Sequence, residues 1–396
     1  EIIKNHLKKN NLKNITVINS CTVTAEAEKK VEYEIRKAKR GNPNNKIIVT
    51  GCAAQINPEK YNKLNEVDLV LGNKEKLQSM VWEDLDFKNS IQVGEILLEK
   101  NPVPTAIEKF EGKSRAYIEI QQGCNHRCTF CIIPFGRGNN RSVPAGEIVA
   151  KIKKIVSNGY NEVVLTGVDI TDYGKDLPAK PTFSNLIKRI LKLVPELKQL
   201  RLSSIDCAEI DNDFWDVIKN KRIMPHFHIS LQAGNNMILK RMKRRHSREM
   251  AIKFCKKILS IREEATFGAD IIAGFPTETE EMFLDSIRLV DECQLTHLHV
   301  FPYSPRDLTP ASKMPQVDKS IIKDRARRLR IKGHKKLEEN LKTKIGKEEL
   351  ILIENQKDNF SVGKDQNYIK VKIDENIKEG KIISCVYIGI DGDTLL

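Results

Sequence analysis

Short apolar segments alternate with helical runs along most of this chain, and the segments of its longer series end at polar, glycine-bearing or otherwise reactive residues. No other feature limits the fold as strongly. The first series runs Thr16 to Asn19, a helical stretch Ala25 to Arg40, Ile47 to Thr50, a short helix after Pro58, and Asp68 to Leu71. Such alternation predicts an open α/β sheet of parallel strands. Ligands of open α/β sheets bind beyond the carboxyl ends of the strands. Cys21 and Cys52, each directly after a strand, are therefore expected on one rim, although small buried residues at strand ends would read the same way. From Phe87 to Gly112 the pattern weakens, and Asn101-Pro102-Val103-Pro104 offers a proline-bearing connection. We expect a first domain at 1–87 and a linker at 88–112. The chain begins at Glu1, within a helix that leads to a strand, and a sheet starting at Ile15 lacks its expected first strand. Further residues are expected upstream.

A longer series follows: Ala116 to Ile120, Glu162 to Leu165, Gln199 to Ser203, His226 to Ser230, Ala269 to Ile272 and His297 to Phe301, with helices such as Gly146 to Val156, Pro181 to Leu193 and Arg248 to Glu263 between them. Six βα units predict a partial (β/α)6 barrel over 113–340, with its working face at the strands' carboxyl ends. The tail, 341–396, changes character. Strands near Glu349 to Ile353, Tyr368 to Ile373 and Ile382 to Ile388 predict a small OB-like β barrel.

At 396 residues, the chain exceeds the roughly 100–200 of one domain, so two or three are expected. No apolar stretch approaches the ~18 residues of a membrane span, and the expectation is a soluble, cytoplasmic protein. Nine cysteines in a long chain without a secretory signal favour metal or redox chemistry over a disulfide framework. The net charge of +14 fits either a polyanionic partner such as nucleic acid or well-solvated lysine-rich helices. Its positive residues crowd two segments, Lys240 to Arg248 and Arg325 to Lys336.

The most specific local motif is Gly123-Cys-Asn-His-Arg-Cys-Thr-Phe-Cys131, a C-x3-C-x2-C loop after the first barrel strand. Three thiolates in one loop can hold an iron–sulfur cluster. A four-iron cubane so held keeps one iron open, and an open coordination position marks a catalytic metal site. Zinc is the competing reading, but it normally takes paired C-x2-C halves, and no second half appears. His126 is either a ligand or a packing neighbour. A non-enzymatic electron carrier or RNA-binding protein is the alternative of another class, against which the incomplete ligand set argues, because electron carriers saturate their irons.

With Ile18-Asn-Ser-Cys-Thr-Val-Thr24, Thr50-Gly-Cys-Ala-Ala54, Cys131-Ile-Ile-Pro-Phe-Gly-Arg-Gly138, Leu165-Thr-Gly-Val168, Ser203-Ser204, Ile229-Ser-Leu-Gln232 and Asp270-Ile-Ile-Ala-Gly-Phe-Pro276, this loop resembles the radical S-adenosylmethionine (SAM) enzymes, and within them the methylthiotransferase branch. The resemblance covers nearly the whole chain. It implies a flavodoxin-like amino-terminal domain, a radical SAM barrel and a carboxy-terminal TRAM domain that holds RNA. It also implies two [4Fe-4S] clusters. One is held by Cys124, Cys128 and Cys131 and binds SAM, which a single electron splits to a 5′-deoxyadenosyl radical. The auxiliary cluster would take Cys21 and Cys52, with a third cysteine that the family places before the first helix, upstream of anything present here.

The resemblance further implies that Thr166 and Gly167 meet the methionine end of SAM, that Ser203, Ser230 and Gln232 offer hydroxyl and amide groups, and that Ile272, Gly274, Val300 and Phe301 frame the adenine. Arg137 and Arg141, in the loop after the cluster, suit phosphate or carboxylate. Tyr303 and Arg306 are expected at the substrate as well. The tail carries nine lysines against ten acidic residues, so RNA contact is expected at Lys370 and Lys372 and at the two basic segments rather than over the whole barrel. The text around Cys21 and Arg137 is most similar to enzymes that methylthiolate N6-threonylcarbamoyladenosine at tRNA position 37, beside the anticodon. Isopentenyladenosine in tRNA and a ribosomal protein are the alternative substrates. A flavodoxin or ferredoxin electron donor and a monomeric state complete the expectation.

Overall fold

The computed structural model describes residues 1–102, 112–357 and 359–396; Val103 and Pro104 of the expected linker lie outside them. Two compact units interleave along the chain. One comprises Glu1–Ile107, Gln121–Ser142 and Ser304–Lys313, the other Glu108–Ile120, Val143–Tyr303 and Met314–Leu396. The segment Gln121–Ser142, which bears Cys124, Cys128 and Cys131, belongs to the first of these units.

In the first unit, four parallel strands, Ile15–Ser20, Lys46–Gly51, Leu69–Leu71 and Ile91–Gln92, lie side by side in sequence order. The period-2 alternation of Lys46–Gly51 sends Ile47 and Val49 to one face and Ile48 to the other. Ile47 and Val49 pack with Val31 and Ile35, four residues apart on the helix Ala25–Gly41. Ile48 packs with Leu69, Leu71 and Trp82. Such fully buried aliphatic side chains contribute roughly 1.5–3 kcal/mol each. The helix starts where it does because the Thr24 hydroxyl accepts from the Ala27 N–H. The fourth strand falls within the expected linker: two residues of pairing are too short to show as a pattern.

In the second unit, strands at Arg115–Gln122, Glu162–Gly167 and Gln199–Leu202 form one sheet, and Ser204–Ile205, His226–Gln232, Thr266–Ala273 and Leu295–Pro302 another, with parallel pairing throughout the second. The expected strand Gln199 to Ser203 stops at Leu202, since Ser204 and Ile205 pair instead with His228 and Ile229. The helix expected from Pro181 begins at Phe183, where Thr182 and Asn185 form a reciprocal capping box. A 24-residue helix, Lys319–Lys342, buries Ile322, Ala326 and Leu329.

The tail is six-stranded rather than three, adding Ser361–Asp365, Ile390–Asp391 and Thr394–Leu395. Its core holds Ile351, Ile353, Ile369, Val371 and Tyr387. The Asp365–Tyr368 turn meets the amino ends of the barrel strands. There Glu162 pairs with Arg115 and Arg201, Arg201 donates to Gln366 O at 3.2 Å, and the Tyr368 ring stacks on His226 at 5.8 Å. Burial pushes the Glu162 carboxyl up, but Arg201 and Arg115 outweigh it and hold it below the ordinary glutamate range. No helix among the described residues is long and apolar enough to cross a membrane.

Several residues of the two basic segments are paired with carboxylates. Arg244 and Arg245 pair with Asp206, and Arg248 with Glu292. Arg325 and Arg328 meet Glu280, Arg327 meets Asp324, and Lys332 meets Asp291. Apart from Asp324, these carboxylates are distant in the sequence from the basic residues they meet.

Candidate active site

Cys21 and Cys52 follow two strands whose register pairs Ser20 with Gly51, so both thiols stand at one carboxyl rim. Gly51 is needed there: its φ is +101°, and a Cβ would lie 2.2 Å from Ser20 O. Cys21 is exposed and Cys52 buried. Arg137, expected to touch substrate, donates from Nε to Cys52 Sγ at 3.2 Å. Asn73 Nδ2 lies 3.8 Å from the same sulfur and donates to Gly136 O at 2.6 Å, while Lys76 Nζ donates to Asn73 Oδ1 and Asn19 Oδ1 at 2.7 and 3.0 Å. Gly136 lets this approach happen, since a Cβ would sit 3.0 Å from Cys52 Cβ. The sequence reading missed Asn73 and Lys76, which follow the third strand and could have been found by the same rim rule that singled out the cysteines.

The C-x3-C-x2-C loop has no helix or strand from Cys124 to Cys131. Its shape comes from its anchors. Gly123 has φ +67°, and a Cβ there would strike Asn139 O; Cys124 N–H donates to Gly138 O and Cys131 N–H to Cys128 O, both at 3.0 Å. The His126 N–H points at Cys124 Sγ, 3.3 Å away. Arg141, also expected at substrate, is buried and donates to Asn139 O and Arg137 O at 3.3 and 2.9 Å, bracing this loop. Three thiols in one irregular loop, with an amide aimed at one sulfur, fit an iron–sulfur cluster with one iron open.

In the second unit the expected SAM contacts lie at strand ends. Thr166 and Gly167 close the strand Glu162–Gly167. The Ser203 hydroxyl is buried without a hydrogen-bond partner among the described residues, an orphan that suits a bound ligand. Ser230 Oγ shares a 2.6 Å hydrogen bond with Ser204 Oγ. Gln232 sits at a register shift with φ +70°, a strained backbone typical of functional rims. Ile272 is buried, Val300 half-buried, and Phe301 38% exposed. At Gly274 a Cβ would lie 2.5 Å from Ile322 Cγ1, so packing against the long helix already requires glycine. Tyr303 is buried edge-on to Phe275, and burial pushes its hydroxyl up to about 12.

One constellation inside the barrel strands escaped the sequence reading. His228 Nε2 and His299 Nδ1 lie 3.1 and 3.2 Å from Asp270 Oδ1. Burial opposes ionisation of Asp270, yet the two imidazoles hold its carboxyl well below the usual range. The hydrogen bond to Asp270 in turn raises His299. The signal was present as His-x-His in two strands flanking an Asp-bearing one. In the tail, Lys370 is exposed, and Lys372 pairs with Asp374 at 3.0 Å.

Residues 118–290 match the radical SAM superfamily, and residues 4–72 match a family described as uncharacterized protein family UPF0004. A threonylcarbamoyladenosine tRNA methylthiotransferase of Rickettsia prowazekii (strain Madrid E) is 52% identical over 99% of this chain and 92% of the relative. One of the same name from Aquifex aeolicus (strain VF5) is 36% identical over 93% and 90%. A tRNA-2-methylthio-N(6)-dimethylallyladenosine synthase of Thermoanaerobacter pseudethanolicus is 32% identical over 80% and 69%. Among solved structures, a radical SAM methyltransferase from Kitasatospora setae superposes with a TM-score of 0.56 at 12% identity, over 78% of this chain and 66% of that one, a likeness of fold alone.

Proposed function

We propose, from the premise that this chain belongs to the radical SAM methylthiotransferases, that it adds a 2-methylthio group to N6-threonylcarbamoyladenosine at position 37 of tRNA. The observation that carries the substrate is the 52% identity over nearly the full length of a relative named for it. A [4Fe-4S] cluster with SAM on its open iron supplies, when bound, a one-electron cleavage that gives access to an unactivated C–H bond. Cys124, Cys128 and Cys131 would hold that cluster, and the His126 N–H would steady the Cys124 sulfur.

Cys21 and Cys52 would ligate the auxiliary cluster as the sulfur source, a reading supported by their shared rim and by the Arg137 and Asn73 groups beside Cys52. Thr166, Gly167, Ser203, Ser230 and Gln232 would bind SAM's polar groups, with Ile272, Val300 and Phe301 against its adenine. The first domain would span 1–87, the radical SAM core 113–340 and a TRAM-like domain 341–396, the last holding RNA through Lys370 and Lys372. A flavodoxin or ferredoxin would supply electrons to a cytoplasmic monomer. Mass spectrometry of tRNA nucleosides tests the proposal: deletion of the gene should remove the 2-methylthio group from threonylcarbamoyladenosine, and an unchanged nucleoside profile would discard it.

A further inference from the structure

Within the first unit lies a cavity of about 360 Å³ whose wall includes Thr22, Ala53 and Ile132. These residues are the chain neighbours of Cys21, Cys52 and Cys131. Two polar groups in its lining are buried without an answer. Arg306 is 9% exposed; its Nη1 donates to Glu28 Oε1 at 3.0 Å, but Nε and Nη2 have no hydrogen-bond partner among the described residues. Those two nitrogens are one edge of the guanidinium, the edge that takes a carboxylate with two parallel hydrogen bonds. The Tyr61 hydroxyl, on a side chain 1% exposed, also lacks a partner.

Buried donors left unanswered are costly, so a site that holds three of them is built for a ligand or filled by water. Burial keeps the Tyr61 hydroxyl protonated to about pH 12, which leaves it a donor. Glu28 does not compete for the open edge, because Thr22 Oγ1, Arg306 Nη1 and Lys60 Nζ already occupy it at 2.8, 3.0 and 3.4 Å. The charged lining, Glu28 and Asp307 against Lys60 and Arg306, is formally neutral. Selection must therefore come from directed donors rather than from a net field. Ile56, Ile132 and Leu308 add an apolar wall.

We infer that this cavity is a carboxylate-binding subsite, in which Arg306 Nε and Nη2 and the Tyr61 hydroxyl grip a small aliphatic carboxylate. Resting on the proposed tRNA substrate, the inference assigns it the threonyl carboxylate of the modified adenosine, with the threonine methyl against the apolar wall. The subsite distinguishes an adenosine bearing a carboxylate from one bearing a hydrocarbon, beside the sulfur-bearing loops.

The test measures binding of N-carbamoyl-L-threonine and of its methyl ester to the full chain by calorimetry. Wild type should prefer the acid by about tenfold or more, as expected when charge-assisted hydrogen bonds are lost. Arg306→Lys, which keeps the charge but not the two-nitrogen edge, and Tyr61→Phe, which removes one oxygen from the core, should each bring the ratio towards one. Circular dichroism checks that both fold. A wild-type ratio near one, or a full ratio retained in both variants, overturns the subsite. Should the acid bind through Arg306 and Tyr61 while threonylcarbamoyladenosine in tRNA is left unmodified, the subsite stands and the substrate assignment falls. If the tRNA is modified but the ratio ignores both variants, the reverse holds.

Discussion

Glu162→Gln should loosen the carboxy-terminal domain from the barrel strands it closes. Glu162 is 1% exposed, between Arg115 and Arg201 at 3% and 4%. Removing one partner of a buried ion pair costs about 3–5 kcal/mol, because the charge left behind stays buried. Here the lower end applies, since Arg115 keeps Glu354 and Arg201 keeps the carbonyls of Gln366 and Asp365. About 3 kcal/mol corresponds to roughly 150-fold in an opening equilibrium. The assay is native-state hydrogen exchange at the amides of Tyr368 and Ile369, which donate to Asp365. Their exchange should quicken by about a hundredfold, whereas Glu354→Gln, on a side chain 28% exposed, should change it by less than about fivefold. Acceleration below threefold in Glu162→Gln would refute the ion cluster as the anchor.

Arg137→Met should lower the midpoint potential of the auxiliary cluster proposed at Cys21 and Cys52, because donors to ligand sulfur favour the reduced state. A loss of roughly 1–2 kcal/mol is roughly 40–90 mV for one electron; EPR-monitored titration would show it, and an unmoved potential would contradict the role. His297 is depressed to about 3, by burial first and then by Lys364, while the unfolded side chain titrates near ~6.5. Its contribution to stability is therefore complete above that pH and is lost as pH falls towards about 3. In denaturant titrations between pH 6.5 and 4.5, His297→Asn should flatten the fall in stability by about 1.4 kcal/mol per pH unit; an unaltered slope would show that the imidazole is not neutral when folded.

The strand-helix alternation was legible because burial writes a period into each element, as in Ile47, Ile48 and Val49. The shared rim of Cys21 and Cys52 was legible because each directly follows a strand of the same parallel sheet. The arginines were not. Sequence gives a guanidinium's position and not its partner, so the contacts of Arg137 with Cys52 and of Arg141 with the loop carbonyls appear only in the structure. The ion pairs of the basic segments were illegible for the same reason: partners such as Asp206, Glu280 and Asp291 are far off in the chain. The two-residue strand Ile91–Gln92 is set by its neighbour Leu69–Leu71 and carries no period of its own.

Anaerobic reconstitution with iron and sulfide, followed by reduction in the presence of SAM, tests the account at its centre. The wild-type chain should release 5′-deoxyadenosine, and the triple substitution Cys124→Ala, Cys128→Ala, Cys131→Ala should release none. Cleavage of SAM by the triple variant, or its absence from a wild-type protein loaded with iron, would contradict an open-iron cluster in this loop.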